Sequence, residues 1–143
     1  METGHWILNE GVEITEDVFG FIYLITNLTN NKKYIGKKQC ISKFKRKPLK
    51  GKKNKRIEYK ESDWKTYTSS SVDLNEDIVK IGKKNFRFEI LRTCGSKWEL
   101  AYEEAKEQIG REVLLRSDYY NGILNLRIGR PPKNLLNNKQ IIC

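Results

Sequence analysis

The stretch FGFIYLITNLTNNKKYIG at 19–36 constrains this chain more than any other. Two short apolar runs, rich in aromatic and β-branched residues, flank a polar turn, which predicts two antiparallel strands. The Asn30-Asn31 pair tolerates left-handed backbone and suits the turn. Phe21, Tyr23 and Ile25 alternate onto one face. Tyr34 lies across the turn, so cross-strand neighbours can bring two phenols to one patch. On these residues alone, two tyrosines filling the rim of a core explain the pattern as well. Gly36 permits close backbone approach at the strand end and is followed at once by Lys37 and Lys38.

From Lys37 to about Asp63 the periodicity fails, and KFKRKPLKGKKNKR crowds basic residues around Pro48 and Gly51. This predicts a loop or mobile basic arm whose like charges call for an anionic partner. Leu74, Ile78 and Ile81 recur at helical spacing up to a stop at Gly82. FRFEILR alternates, with Phe86, Phe88 and Ile90 on one face, and predicts a half-buried strand. Ser96 and Glu99 form a capping box. The helix they open carries an apolar stripe through Leu100 or Ala101, Ala105, Ile109 and Val113, with Gly110 able to bend it. Pro131-Pro132 ends regular structure. The order predicts an α/β fold: a small antiparallel or mixed central sheet of about three strands, flanked by helices. A segment at 1–17 precedes a domain at 18–125, in which 37–63 is a basic loop insertion, and 126–143 is a basic tail.

The length of 143 residues fits one domain with a real core. A net charge of +10 makes polyanions the first partners to consider and an anionic membrane surface the second. An unusually basic soluble protein is the plain alternative. No run approaches the ~18 apolar residues of a membrane span. The first residues lack the basic flank and apolar core of a signal peptide, so a secreted protein is not expected. Cys40, Cys94 and Cys143 are widely spaced with no CxxC pair, which argues for a reducing, cytoplasmic setting without structural zinc or disulfides. His5 is the single histidine and sits near an end expected to fray, so nothing favours a histidine base or ligand. On the second helix Glu104 lies at the border of the apolar stripe, whereas Glu103 and Glu107, four apart, suit a solvated surface. A carboxylate at a buried edge needs a partner, either an arginine or a divalent cation.

FIY at 21–23 and YIG at 34–36, joined by a short turn, resemble the signature of GIY-YIG nucleases, in particular stand-alone phage-type or homing-endonuclease-like members. The resemblance continues through the WKTY stretch, the helix–strand unit ending in EILR, the glutamate on the next helix and YYN at 119–121. It spans roughly residues 18–125. Phe21 stands where the family usually has glycine, and Phe44 where it carries an arginine.

The resemblance implies a phosphodiester-cleaving DNA endonuclease using Mg²⁺, or Mn²⁺ in its place, on DNA expected to be double-stranded. Tyr23 matches the tyrosine that acts as general base or orients the attacking water, and Tyr34 the tyrosine that supports it. Lys37 matches a basic position after the glycine. Glu104 matches the metal-binding glutamate, with Glu103 as the alternative register, and Asn121 the asparagine that closes the site, with Asn125 as its alternative. Arg46 is nearest to the displaced arginine, with Arg56 and Lys43 also open, and Tyr67 fills a position that is histidine or tyrosine in relatives. One carboxylate is a sparse metal site, but Mg²⁺ keeps several waters and can take its remaining oxygens from substrate phosphate. Lys38, Lys43, Lys45, Lys50, Lys52, Lys53, Lys55 and Arg56 are the expected DNA contacts. Any sequence preference then comes from the loop at 43–60, the terminal segments or a homodimer. The alternative reading is a nucleic-acid-binding module that kept the scaffold and lost cleavage.

Overall fold

The computed structural model describes residues 2–133, with backbone alone at 43–46. Its elements are β1 (Ile7–Leu8), β2 (Gly20–Asn27), β3 (Lys32–Gln39), β4 (Ile41–Arg46), β5 (Arg56–Glu61), α1 (Val72–Ile81), β6 (Phe86–Cys94) and α2 (Lys97–Gly110). The main sheet has four strands in the order β1-β6-β2-β3, and β4 and β5 form a separate two-stranded sheet. β2 runs antiparallel to both β3 and β6, while β1 joins β6 in parallel, so the sheet is mixed. All eight residues of β2 are buried. That central position explains why GFIYLITN has no polar face.

The turn after β2 works as its asparagines suggest. Asn31 has a φ of 63°, in the left-handed region. Asn27 Oδ1 accepts from the Thr29 N–H, and Asn30 Oδ1 from the Lys32 N–H. The resulting register sets Tyr23 opposite Gly36 and Ile25 opposite Tyr34.

Alternation along β2 separates two cores. Phe21, Tyr23 and Ile25 join Phe88 and Ile90 of β6, Leu74 and Ile78 of α1, and Trp6 and Trp64. Ile22 and Leu24 point the other way and pack with Ile35, Leu100 of α2 and Val113. Both helices are capped as their sequences require: Ser71 Oγ accepts from the Leu74 N–H, and Ser96 Oγ from the Glu99 N–H. Gly82, at φ 103°, closes α1 with an N–H to the Ile78 carbonyl.

The mixed central sheet with helices is as expected, and a two-residue β1, too short to leave a periodic signal, adds a fourth strand. Three expectations change. The segment at 1–17 is built into the main core rather than preceding it: Trp6 is buried and its Nε1 donates to the Trp64 carbonyl at 2.5 Å. His5 is accordingly not frayed. The 37–63 stretch is not an irregular loop, since β3 runs on to Gln39 and β4 pairs with β5 across six residue pairs. α2 stops at Gly110 instead of bending there. Ile109 is therefore exposed, and Val113 enters the second core from a 3₁₀ turn that follows Glu112 at φ 54°. Among the described residues no helix is long and apolar enough to cross a membrane. Residues 134–143, which hold most of the expected basic tail and Cys143, lie outside the described residues.

Candidate active site

β3 is an edge strand, and the way its free edge is covered builds the site. An uncovered edge leaves backbone donors and acceptors unpaired. Here the Tyr120 N–H donates to the Lys33 carbonyl, and the Lys33 N–H to that of Asp118. Asn121 brackets Ile35, accepting from its N–H at 3.0 Å and donating to its carbonyl at 2.8 Å. Gln108 Nε2 donates to the same carbonyl at 3.1 Å. One turn earlier on α2, Glu104 stands beside Lys37 of the same strand, its carboxylate 3.9 Å from the ammonium. Edge satisfaction thus carries the Glu104 carboxylate around β3 to the face where the tyrosines stand.

On that face lies a cleft of about 320 Å³, lined by Tyr23, Tyr34, Lys37, Tyr67, Glu104 and Asn125, together with Ser70, Gln108 and Ile123. The Tyr23 and Tyr34 rings stack with centroids 6.1 Å apart and 29° between planes. Tyr67 meets Tyr23 edge-on at 6.3 Å. A register irregularity between β2 and β6 falls at Ile22/Tyr23, next to the side chain it aims. Gly36 makes the packing possible. A Cβ there would fall on the Tyr23 hydroxyl, 2.6 Å from Cζ and 2.9 Å from Tyr34 Cε1.

The electrostatics of the cleft follow from burial. Tyr23 is 1% exposed, and desolvation pushes its phenol well above the ordinary value, reinforced by Tyr34, Tyr67 and Glu104. Tyr34 and Tyr67 are raised by the same cause, with the Ser70 hydroxyl opposing the shift in each. Burial also raises the Glu104 carboxyl, and the Lys37 ammonium, 3.9 Å away, works against it. The site is therefore a half-buried carboxylate among neutral phenols, with one loosely held cation. A divalent cation suits that donor set: it relieves a partly desolvated carboxylate, and phosphate and water can complete its shell. Among the described residues no group of three or more His, Cys, Asp or Glu side chains forms a closed metal cage.

Glu103, Glu107, Asn121 and Lys38 are engaged elsewhere, and the side chains of 43–46 lie outside what is described. Glu103 is bound to Arg92 at 2.9 Å, and Glu107 bridges Arg92 and Arg111, so the neighbouring carboxylates are held away from the cleft. Asn121 serves the β3 edge, whereas Asn125 lines the cleft. Lys38 pairs with Asp63 at 2.7 Å and lies 4.1 Å over the Tyr67 ring, bracing the back of that tyrosine. Arg46 is on β4 opposite Arg56 in Cα register, and Lys43 and Lys45 share that strand. Lys50, Lys52, Lys53 and Lys55 are exposed in the connection to β5, as is Arg56 at its start.

Sequence reasoning missed Ser70, Gln108, Ile123 and the role of His5. Gln108 had a signal, standing four residues after Glu104 on the same helix face. His5 stacks on Phe88 at 4.0 Å and its Nε2 donates to the Tyr67 carbonyl at 2.9 Å. Burial, with the nearby Lys83 charge, lowers its pKa to about 4, so the ring is neutral where it holds the Tyr67 backbone.

A family model described as "Putative endonuclease segE, GIY-YIG domain" matches residues 6–124. No curated protein and no solved structure matches the chain. The matched span begins at Trp6, in agreement with the packing of the N-terminal segment into the main core.

Proposed function

The chain belongs to the GIY-YIG family of endonuclease domains, and we propose that it is a metal-dependent DNA endonuclease whose active site is the tyrosine-lined cleft. The observation that carries this reading is the convergence of the Tyr23 hydroxyl and the Glu104 carboxylate in one cleft, from opposite sides of the β3 edge. Glu104 is the residue to hold Mg²⁺ or Mn²⁺, with no second carboxylate in the cleft lining. When bound, that ion supplies Lewis acidity to the phosphoryl oxygens.

Tyr23 orients the attacking water. Its raised pKa keeps it a phenol at rest, so taking the water's proton requires added positive charge in the cleft. Lys37 contributes part of that charge and can also neutralise a non-bridging phosphate oxygen. Tyr34 braces the Tyr23 ring, Tyr67 and Ser70 set the hydroxyl network, and Asn125 is placed to meet substrate at the rim. The β4–β5 ribbon, with Lys43, Lys45, Lys50, Lys52, Lys53, Lys55 and Arg56, supplies phosphate contacts and most of the affinity. Arg46 belongs with that group.

A second reading, a binding module without cleavage, is favoured by one observation: among the described side chains no arginine lines the cleft, and Arg92 and Arg111 are tied to Glu103 and Glu107. Supercoiled plasmid separates the two. Nicking or linearisation that requires Mg²⁺ and stops with chelator is expected. Salt-sensitive binding with no cleavage in Mg²⁺ or Mn²⁺ would establish the second reading.

A further inference from the structure

On the outer face of α2 lies a groove of about 540 Å³ that the cleft does not use. Trp98 and Tyr102 stack along it with centroids 4.9 Å apart and 12° between planes. Ala105 and Ile109 line it from the helix, and the chain after the cleft lines it through Leu126 and Ile128. Trp98 Nε1 fixes that segment by donating to the Gly129 carbonyl at 2.9 Å. Tyr102, Ile109 and Leu126 are each about half exposed.

Charge identifies the occupant. Lys106 lies in the groove, and Lys97, Arg127 and Arg130 are exposed nearby. Among the described residues none of these four cations is paired with a carboxylate. Glu103 and Glu107 of the same helix are engaged by Arg92 and Arg111 and leave them unneutralised. An aromatic platform with unpaired cations around it is the combination that holds single-stranded nucleic acid, bases on the rings and phosphates on the charges. A purely apolar partner would strand the cations, and an acidic peptide would leave the rings uncovered. The groove and the cleft are neighbours along the chain, Asn125 lining one and Leu126 the other. We infer that the Trp98–Tyr102 groove binds the unpaired bases of a DNA strand leaving the cleft. Duplex alone cannot occupy it, since paired bases present no free face. The inference rests on the cleft being where DNA is bound, whether or not it is cut there.

The test uses the full chain in chelator, with three labelled DNAs: a blunt duplex, the same duplex with an oligothymidine extension, and one with an abasic extension of equal length. Binding is read by fluorescence anisotropy. The thymidine extension is expected to tighten binding about tenfold more than the abasic one, the scale of one stacked base. Tyr102→Leu should reduce it to the abasic level, Tyr102→Trp should preserve it, and blunt-duplex binding should be the same in all three proteins. Equal binding of thymidine and abasic extensions by the wild type would overturn the inference, as would a thymidine advantage that survives Tyr102→Leu. An advantage that emerges only after residues 134–143 are removed would assign the groove to that segment and overturn it too. Cleavage of the blunt duplex in Mg²⁺ tests the nuclease reading separately. A protein that fails to cleave yet keeps the Tyr102-dependent advantage refutes that reading and upholds the groove.

Discussion

The cleft and the β4–β5 ribbon are both basic-protein surfaces expected to meet DNA, yet they are built in opposite ways. Tyr23 is 1% exposed, fitted over Gly36 and raised in pKa by burial. On the ribbon Tyr59 is 66% exposed, and β4 and β5 form a sheet separate from the main one. The ribbon is tied down at its base, by Ile41 against the main core, by the Ser62 hydroxyl on the Gln39 carbonyl and by Glu61, which accepts from Trp64 Nε1. The contrast follows from what each task requires. Charge development at phosphorus demands groups held in place within a desolvated pocket. Counterion release asks only for cations near phosphates. Chemistry and affinity should therefore be separable by mutation.

The largest break in that comparison is Glu104→Ala. Single-turnover cleavage should fall by about a thousandfold or more, the scale of losing a metal's charge stabilisation, with DNA affinity in chelator nearly unchanged. Equal activity at saturating Mg²⁺ would remove Glu104 from the site, and loss on Glu103→Ala instead would point to disruption of the Arg92 network. On the ribbon, neutralising Lys50, Lys52, Lys53 and Lys55 together should weaken binding and flatten the dependence of log K on log salt by up to about 3.6. An unchanged salt slope would sink the ribbon's role.

Glu104→Gln sharpens the comparison without chemistry. Burial raises the folded-state pKa of Glu104, so its ionisation is disfavoured in the fold. Its contribution to stability is lost as pH rises from the unfolded value through the folded one. At neutral pH without divalent ions the Gln variant should melt slightly higher than wild type. Mg²⁺ should raise the wild-type Tm and leave the variant unmoved.

His5 gives the smallest effect and the opposite sign. Its depressed pKa means stability is intact above about 6.5 and lost as pH falls toward about 4. His5→Phe should flatten that part of the Tm–pH curve.

The hairpin, the Gly82 stop of α1, the Ser96 cap of α2 and the β6 alternation were legible because each rests on local chemistry: branched and aromatic runs, an asparagine turn, a glycine stop and a hydroxyl cap. Tyr23, Tyr34, Tyr67 and Glu104 could be named in advance and do come together. What put Glu104 in the cleft was not legible, because it depends on Gln108 and Asn121 satisfying one edge residue, Ile35, from 73 and 86 positions away. The ribbon was missed because its strands, ISKFKR and RIEYKE, are mostly charged and read as part of the basic stretch. β1 was missed because two residues carry no period. Ile109 and Val113 fitted a helical stripe that Gly110 interrupts, and only the chain's left-handed step at Glu112 showed where Val113 goes.

The account stands on chemistry residing in the cleft and affinity residing in the ribbon. Its most direct test is single-turnover cleavage of supercoiled plasmid in Mg²⁺, at protein concentrations saturating for each variant. Tyr23→Phe removes one hydroxyl and keeps the ring that the core requires, so it should bind as wild type does and cleave about 10²–10⁴-fold more slowly. The four-lysine variant, once saturated, should cleave at close to the wild-type rate. Near-wild-type cleavage by Tyr23→Phe, or a saturated lysine variant as slow as Tyr23→Phe, would contradict the division.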